Sequence, residues 1–284
     1  MPARILDGRA LAKERNAETA RAIQERLSLA GRPPRLDVVL VGADAASAVY
    51  VRNKERAGKK VGIEGRVHDV SADITQEALA ERLRALQADD ALDGLILQLP
   101  LPGGLDPYPL LALIDPARDV DGFHPENTGK LLSGVPGGFA PATPLGILWI
   151  LLEAGIRLQG AEVVVVSHSN LIGKPLAAML MNHDATVTVC HVHTRDLAAH
   201  TSRADVVVTA AGVPGLITKD HIAEGALVVD AATVLGDDGV LRGDCAPDVA
   251  EKAGTLTPVP GGVGPVTVSA LLHNTRLAWE RRTG

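Results

Sequence analysis

Short apolar segments alternate with helical segments along most of this chain, and this alternation constrains its fold more than any other feature. Strand-like segments of the first half are RLDVVLVG (35–42), EGRVHDV (64–70) and DGLILQLPLP (93–102). Between them, residues 44–61 and 75–89 place apolar side chains every three or four positions, as amphipathic helices do. Strands separated by helices of this length form βαβ units, so the sequence predicts an α/β fold with parallel sheets.

A second series of the same kind follows a region rich in proline and glycine. The regular pattern fails between about 100 and 145, where only a short helix near 108–114 is predicted. A length of 284 residues suits about two domains, and so much irregular chain between two regular series predicts an inter-domain crevice. The remaining predicted strands are 161–167, 185–191, 204–210 and 225–231, and the remaining predicted helices are 7–30, 145–154, 174–184 and 267–282.

Composition argues against several classes of protein. The formal charge is −6 and only 2% of residues are aromatic, whereas nucleic-acid binders present a basic surface, often with stacking aromatics. No apolar run approaches the roughly 20 residues of a membrane-spanning helix, and the first residues lack the apolar core of a signal peptide. Two cysteines, Cys190 and Cys245, are too few for a disulfide framework. We therefore expect a cytoplasmic protein that binds neither nucleic acid nor membranes.

Three polar features of the first half are candidates for chemistry. Tyr50 and Lys54 are four residues apart on a predicted helix and so share a face, although a surface lysine beside a half-buried tyrosine is the simpler interpretation. Short-chain dehydrogenases also carry a Tyr-x-x-x-Lys pair, but downstream of their glycine-rich turn, so the order here excludes that family. Gln98 ends an apolar strand, where it either binds a ligand or is satisfied by neighbouring backbone. Asp121 stands in Asp119–Gly122, which is also compatible with an ordinary turn.

Two segments of the second half suit a dinucleotide and a flat ligand. Residues 167–175 follow a strand and open a helix, as a pyrophosphate-binding turn does, although Ser167 stands where the first glycine of G-x-G-x-x-G is expected. About twenty residues later the chain carries basic groups in place of the usual acidic residue, which favours NADP over NAD. The run Pro258–Pro265 is rigid and lets backbone approach a ligand closely.

A metal site is a further possibility that the spacing does not support. Cys190, His191 and His193 lie close together, and alternation along a strand would place the two histidines on one face. No second group of ligands follows at the spacing of structural zinc sites. We predict no metal.

Taken together, the motifs resemble one family, the bifunctional methylenetetrahydrofolate dehydrogenase/methenyltetrahydrofolate cyclohydrolases of the FolD type. The resemblance covers essentially the whole chain, and the order and spacing of five motifs carry it. They are V-G-x-x-x-x-S-x-x-Y-V-x-x-K (41–54), G-L-I-L-Q-L-P-L-P (94–102), D-x-D-G-x-x-x-x-N-x-G-x-L (119–131), P-x-T-P-L-G (141–146) and T-P-V-P-G-G-V-G-P-V-T (257–267).

The resemblance implies two consecutive reactions on a folate. NADP+ oxidises 5,10-methylenetetrahydrofolate to the methenyl form, and water opens that form to 10-formyltetrahydrofolate. By similarity Lys54 is the central catalytic group, Tyr50 packs on the folate, Gln98 tunes Lys54, and Asp121 holds the pterin ring. Substrate contacts implied in addition are Leu99, Pro260, Gly261 and Gly262, and implied cofactor contacts are Ser167, His168, Ser169, Gly173, Pro175, His193, Arg195 and Thr233.

The resemblance also implies an architecture and an assembly. It predicts two three-layer α/β domains around a cleft, with residues 1–140 and the helix 266–284 forming the folate domain. Residues 141–265 would form a Rossmann-like NADP-binding domain, through which the family usually forms homodimers. Tetrahydrofolate derivatives are the expected small-molecule partners.

The chain departs from the family pattern mainly in the cofactor motifs. Ser167 and His168 begin the turn that usually reads G-[RA]-S, and Val192 replaces a residue that meets the 2′-phosphate. Ala232 and Thr233 stand in the D-x-G-I segment, while Ala142 replaces the usual cysteine of P-C-T-P. We expect NADP binding through main-chain amides, with NAD as a second possibility. The alternatives are a cyclohydrolase with an impaired cofactor site and a folate-binding paralogue without catalysis.

Overall fold

The computed structural model describes the backbone of residues 3–42 and 45–284 and the side chains of residues 3–42 and 51–284. The strands are β1 (Arg4–Ile5), β2 (Arg35–Val41), β3 (Glu64–Val70), β4 (Gly94–Leu97), β5 (Glu162–Val166), β6 (Thr186–Cys190), β7 (Val206–Thr209), β8 (Leu227–Asp230), β9 (Val234–Leu235), β10 (Leu241–Arg242) and β11 (Thr255–Leu256). The helices are α1 (Gly8–Ala30), α2 (Ala45–Val61), α3 (Gln76–Gln87), α4 (Pro107–Leu111), α5 (Pro125–Leu132), α6 (Ala142–Glu153), α7 (Gly173–Met181), α8 (Leu197–Thr201) and α9 (Val263–Arg282). The predicted strands and helices are confirmed, with several ends shifted by a few residues.

The chain divides into two compact units. The large-sheet unit contains Thr143–Thr267 together with the amino-terminal stretch through Lys13, and the small-sheet unit contains Glu14–Ala142 and Val268–Gly284. The boundaries predicted from sequence differ, because they assigned the amino-terminal stretch to the folate domain. Its place follows from the parallel pairing of β1 with β11, in which Arg4 lies opposite Thr255.

The small-sheet unit is built on three parallel strands in the order β3-β2-β4. All seven residues of β2 are buried, as expected for the central strand of a parallel sheet. The chain passes from β2 to β3 on one side, through α2, and reaches β4 on the other side through α3. This reversal creates a switch point at the carboxyl ends of β2 and β4, where α/β sheets bind ligands.

The large-sheet unit is built on six parallel strands in the order β1-β11-β8-β7-β5-β6. Its buried core includes valines of β5, β7 and β8. Since β5 lies between β6 and β7, a second switch point falls at the carboxyl ends of these three strands. The α/β class with parallel sheets is therefore confirmed.

Several short elements were not predicted from the sequence, and α5 shows most clearly why. It begins at Pro125, and the Nδ1 atom of His124 accepts a hydrogen bond from the Glu126 amide (3.0 Å). Proline is favourable at the first position of a helix, so a proline-rich stretch was wrongly read as irregular. None of the described helices has both the length and the apolar character to cross a membrane.

Candidate active site

Lys54 is a buried lysine of α2 in the small-sheet unit. The residue is only 4% exposed, and it shares a small cavity with Leu36 and Val38 of β2. Burial lowers the pKa of the Lys54 ammonium, while the negative charge of Asp121 acts in the opposite direction. A lysine in this setting exchanges a proton closer to neutral pH than a lysine in water does.

Gln98 follows β4 and orients the amine of Lys54. Its Oε1 atom accepts a hydrogen bond from Lys54 Nζ (3.1 Å), and its Nε2 atom donates to the Leu99 carbonyl (2.8 Å). The second bond fixes the direction of the side-chain amide, so that its oxygen faces the lysine. The Gln98 side chain is therefore held by the Leu99 backbone and by Lys54, and its contact with a ligand stays a prediction.

Asp121 lies in the turn Asp119–Gly122 and is partly buried. Burial raises the pKa of its carboxyl group, and the positive charge of Lys54 opposes that increase. Gly122 has φ of +76°, and a Cβ atom there would lie 2.6 Å from the Pro141 nitrogen. The turn therefore requires glycine at this position, and its shape is fixed by packing as well as by local preference.

Three polar residues hold the turn in place. The carboxylate of Asp119 accepts hydrogen bonds from the His124 amide (2.8 Å) and the Asn127 side chain (2.8 Å), and burial raises its pKa to about 6. The Asn274 side chain donates to the Val120 carbonyl (2.8 Å). The sequence placed Asp119 and Asn127 at fixed positions of the D-x-D-G-x-x-x-x-N motif and Asn274 after the last motif, but no role was predicted for any of the three.

Two predicted residues of this site are described less fully. Tyr50 falls in α2, but its side chain lies outside the described residues, so its packing on a folate stays a prediction. Leu99 is partly buried and contributes its carbonyl group to the bond with Gln98.

A cavity of about 540 Å³ lies at the carboxyl ends of β5, β6 and β7 in the large-sheet unit. Of the predicted cofactor contacts, Ser167, His168 and Ser169 line it. The Ser169 hydroxyl accepts a hydrogen bond from the Ile172 amide (3.1 Å), which shapes the turn before α7. The position matches the ligand-binding edge expected of a parallel sheet.

Gly173 allows α7 to begin against the end of β5. A Cβ atom on Gly173 would lie 2.0 Å from the Ser167 carbonyl oxygen, so no other residue fits without displacing the backbone. Pro175 is buried in the first turn of α7. The close approach brings the α7 amino terminus to the strand end, where the amides of Gly173 and Lys174 donate to the hydroxyl (3.4 Å) and the carbonyl (3.0 Å) of Ser169. The position of this helix start suits a dinucleotide pyrophosphate.

Three predicted cofactor contacts are not among the residues that line this cavity, and their contact with a cofactor stays a prediction. His193, Arg195 and Thr233 are exposed and do not line it, whereas His191, which belongs to the basic stretch 190–195 that favoured NADP, does. The prediction that His191 and His193 share one face of a strand is wrong, because β6 ends at Cys190. Residues 191–194 instead form a turn in which the Thr194 amide donates to the His191 carbonyl (2.8 Å).

Possible metal ligands do not gather at one place in the described part of the structure. Over residues 3–42 and 45–284, as far as they are described, no three His, Cys, Asp or Glu side chains form a group suited to a metal ion.

The segment Pro260–Gly262 belongs to the large-sheet unit. Pro260 is exposed, whereas Gly261 and Gly262 are buried, and Gly261 has φ of +109°. A Cβ atom on Gly8 would lie 1.8 Å from the Gly262 carbonyl oxygen, so the first turn of α1 rests directly on this segment. Sequence analysis did not single out Gly8, and contact of Pro260–Gly262 with a substrate stays a prediction.

Both parts of the chain match models of one family. Residues 6–121 match the catalytic domain of tetrahydrofolate dehydrogenase/cyclohydrolase, and residues 141–283 match its NAD(P)-binding domain.

Curated relatives and solved structures agree with these matches. Bifunctional protein FolD 1 of Rubrobacter xylanophilus is 50% identical over 98% of this chain and 99% of its own length. The FolD crystal structure from Campylobacter jejuni is 40% identical, with a TM-score of 0.95 over 98% of this chain and 99% of that one. The Trypanosoma brucei FolD structure, complexed with NADP cofactor and inhibitor, is 37% identical, with a TM-score of 0.94 over 99% of this chain and 98% of that one. The chain therefore belongs to the tetrahydrofolate dehydrogenase/cyclohydrolase family.

Proposed function

We propose that this chain oxidises 5,10-methylenetetrahydrofolate with NADP+ and hydrolyses the 5,10-methenyl product to 10-formyltetrahydrofolate. Similarity to bifunctional relatives over the full chain supports this function over cyclohydrolase activity alone and over folate binding without catalysis. The observation that carries the proposal is the buried amine of Lys54, which donates a hydrogen bond to Gln98 and whose pKa is affected by the charge of Asp121.

Lys54 acts as the proton acceptor in the hydrolytic step. Water adds to the cationic methenyl carbon, and the neutral amine of Lys54 takes a proton from that water. The bond from this carbon to N5 then breaks as N5 takes a proton from protonated Lys54, while the hydroxyl group loses its proton to solvent and becomes the formyl group on N10. Burial favours the neutral amine and so places this base within reach of neutral pH.

The neighbouring residues position the folate. The carboxylate of Asp121 suits the N–H groups of a pterin ring, and Asp119, Asn127 and Asn274 hold its turn in place. By family resemblance, Tyr50 packs on the folate, and Leu99 with Pro260, Gly261 and Gly262 completes the substrate contacts.

The large-sheet unit provides the dinucleotide site. The turn through Ser167 and Ser169 and the amino terminus of α7, made accessible by Gly173, would hold the pyrophosphate of NADP. NADP, when bound, supplies the acceptor for the hydride that leaves the methylene group of the folate. The small-sheet unit would then be the folate domain and the large-sheet unit the NADP domain.

The family resemblance also supports a cytoplasmic homodimer that works in one-carbon metabolism and supplies purine biosynthesis. Light scattering of the purified chain tests the dimer directly, since the mass of one chain is 29.6 kDa. A mass near that of one chain would contradict it.

A coupled assay tests the two activities. The purified chain is supplied with 5,10-methylenetetrahydrofolate and either NADP+ or NAD+, while reduced nicotinamide and 10-formyltetrahydrofolate are followed separately. We expect both products with NADP+. Turnover of added 5,10-methenyltetrahydrofolate without oxidation by either cofactor would instead establish a cyclohydrolase alone, and absence of both reactions would establish a folate-binding protein.

A further inference from the structure

The turn that presents Asp121 is folded around the carboxylate of Asp119. The Asp119 carbonyl accepts a hydrogen bond from the Gly122 amide (3.1 Å), which closes the turn. The Asp119 carboxylate accepts from the next two amides along the chain, those of Phe123 (3.2 Å) and His124 (2.8 Å). Asp121 therefore lies in a short loop that is bonded to Asp119 at both of its ends.

Asn127 of α5 supplies a third donor to the same carboxylate. Its Nδ2 atom donates to Asp119 Oδ2 (2.8 Å) and to the Pro116 carbonyl (3.0 Å), while its Oδ1 atom accepts from the Phe139 amide (3.3 Å). Because Oδ1 accepts from backbone, the N–H groups of this side chain are the ones that face Asp119. Asp119 and Asn127 are each 1% exposed, so water has little access to the bonds between them.

The charged and titratable groups on the neighbouring α5 and on the segment before the turn have other partners. Lys130 pairs with Glu126 on the exposed side of α5 (2.6 Å). The Nδ1 atom of His124 accepts from the Glu126 amide (3.0 Å), and the Arg118 guanidinium donates to the Gln87 carbonyl. These groups do not supply the counter-charge of the Asp119 carboxylate.

The remaining neighbouring elements leave Asp121 as the charged group that acts on Asp119. Arg281 of α9 lies over an aromatic ring, 4.6 Å from its centre, and Asp115 accepts from a backbone amide of its own turn (2.8 Å). From α2, the charge of Lys54 acts on Asp121. Burial raises the pKa of Asp119 to about 6, its three hydrogen bonds oppose that rise, and the negative charge of Asp121 adds to it.

A proton on Asp119 would have no acceptor among these three partners. Each of the groups that contact the carboxylate oxygens is an N–H donor, so an O–H group would face a donor and at least one hydrogen bond would be lost. With its pKa at about 6, the carboxylate is charged at neutral pH and becomes neutral in mild acid.

We propose that Asp119 is a positioning residue for folate, whose ionised carboxylate holds the turn that directs Asp121 to the pterin ring. The inference rests on the proposed function, in which Asp121 meets the N–H groups of the pterin. Protonation of Asp119 loosens this turn and weakens folate binding, while the amine of Lys54 and its bond to Gln98 are unchanged. The effect of Asp119 therefore falls on KM rather than on kcat.

Protonation of Asp119 has opposite consequences for folding and for folate binding. The pKa of Asp119 in the folded chain is about 6, above its ordinary value of 3.8, so the folded chain holds this proton more readily than the unfolded chain. A falling pH between these two values therefore stabilises the fold through this group. Weaker folate binding over the same range then arises from the turn and not from unfolding of the chain through Asp119.

Hydrolysis of 5,10-methenyltetrahydrofolate by the full chain between about pH 5 and pH 8 tests this proposal, with KM and kcat measured separately. We expect KM to rise by about 2- to 10-fold toward acid pH, with a midpoint near pH 6, in line with the loss of a hydrogen bond to the pterin. Asp119→Asn cannot ionise, so its KM should stay at the acid value throughout. Glu126→Gln, which removes an exposed carboxylate of α5, is the control and should keep the profile of the unaltered chain.

Asn127→Ala tests the same role without altering Asp119. Its hydrogen bond lowers the pKa of Asp119, so its loss should move the midpoint of the KM profile to higher pH. A merely structural role of Asn127 would raise KM at every pH and leave the midpoint where it was. Circular dichroism at each pH shows whether the variants remain folded.

The outcomes separate this inference from the proposed function. A midpoint near pH 6 that persists in Asp119→Asn would assign it to another group, such as Asp121, and would overturn the role of Asp119. A KM that does not change with pH in the unaltered chain, or an unmoved midpoint in Asn127→Ala, would overturn that role as well. Absence of hydrolysis by the unaltered chain at every pH would instead overturn the proposed function.

Discussion

The site around Lys54 and the dinucleotide cavity differ in how far their functional side chains are enclosed. Lys54 is 4% exposed and Gln98 is partly buried, whereas His168 and His191 are exposed at the cavity edge. Removal of water from a lysine changes its pKa, so the first site depends on burial for its chemistry. A dinucleotide is held largely by backbone amides, so the second site depends on the path of the chain.

The positions at which the chain departs from the family pattern follow the same division between a site built from buried side chains and a site built from backbone. The motifs around Lys54, Gln98 and Asp121 are intact, while Ser167, His168, Val192 and Thr233 all fall in cofactor motifs. Main-chain amides are present whatever side chain they carry, so we expect side-chain replacements there to leave the proposed pyrophosphate site in place. No main-chain group can take over the proposed role of the Lys54 amine, so a replacement of Lys54 should remove that function.

The largest expected effect is that of Lys54→Ala. Loss of the proton acceptor should reduce hydrolysis of 5,10-methenyltetrahydrofolate by about 10²- to 10⁴-fold, with folate affinity changed by less than about tenfold. Stopped-flow absorbance and equilibrium binding measure the two quantities. Lys60→Ala, at an exposed position of the same helix, is the control and should behave like the unaltered chain. Hydrolysis at the original rate in Lys54→Ala would refute the assigned role.

A smaller effect is expected for Gln98→Leu. The change removes the oxygen that orients the buried Lys54 amine and should lower kcat by about 2- to 10-fold, in line with the roughly 0.5–1.5 kcal/mol of a hydrogen bond between neutral groups. Gln98→Glu keeps the shape but adds a negative charge, which should raise the pKa of Lys54 and move the rise in kcat to higher pH. Identical pH profiles for Gln98→Glu and the unaltered chain would show that Gln98 does not act through Lys54.

Gly173→Ala tests the proposed dinucleotide site without altering the residues around Lys54. Its Cβ atom would lie 2.0 Å from the Ser167 carbonyl oxygen, so the turn must shift. We expect the free energy of unfolding to fall by about 1–3 kcal/mol and NADP+ affinity to fall with it, while added 5,10-methenyltetrahydrofolate is still hydrolysed. Gly129→Ala, in α5 with open space around its Cβ position, should leave both unchanged. Equal loss of both activities in Gly173→Ala would contradict the separation of the two sites.

The smallest expected effect is a change in pH dependence in Asp121→Asn. The Asp121 charge raises the pKa of Lys54 and so opposes the larger effect of burial. In the proposed mechanism neutral Lys54 is the active form, so we expect activity to rise with pH through a pKa below the ordinary value of 10.5. Removing the charge should move this rise to lower pH in a profile of kcat at saturating folate. A shift to higher pH would show that Asp121 does not act on Lys54 through its charge.

Periodicity predicted the long elements and failed for the short ones. β2 and α3 contain enough residues to display a period, and Thr75 caps α3 by accepting a hydrogen bond from the Ala78 amide (3.2 Å). The two-residue strands β1 and β11 have no period to detect, since each is defined by a partner that is distant in sequence. Their pairing is what places the amino-terminal stretch in the large-sheet unit.

The sequence by itself determined the α/β class, the family and the identity of Lys54, Gln98 and Asp121 as candidates, because periodicity and motif spacing are properties of neighbouring residues. Only the tertiary structure decided that the Gln98 oxygen faces Lys54, and that His191, with His168, lines the dinucleotide cavity while His193 and Arg195 do not. The direction of a hydrogen bond and the lining of a cavity depend on which strands pack side by side. That arrangement is set by contacts between residues far apart in the chain.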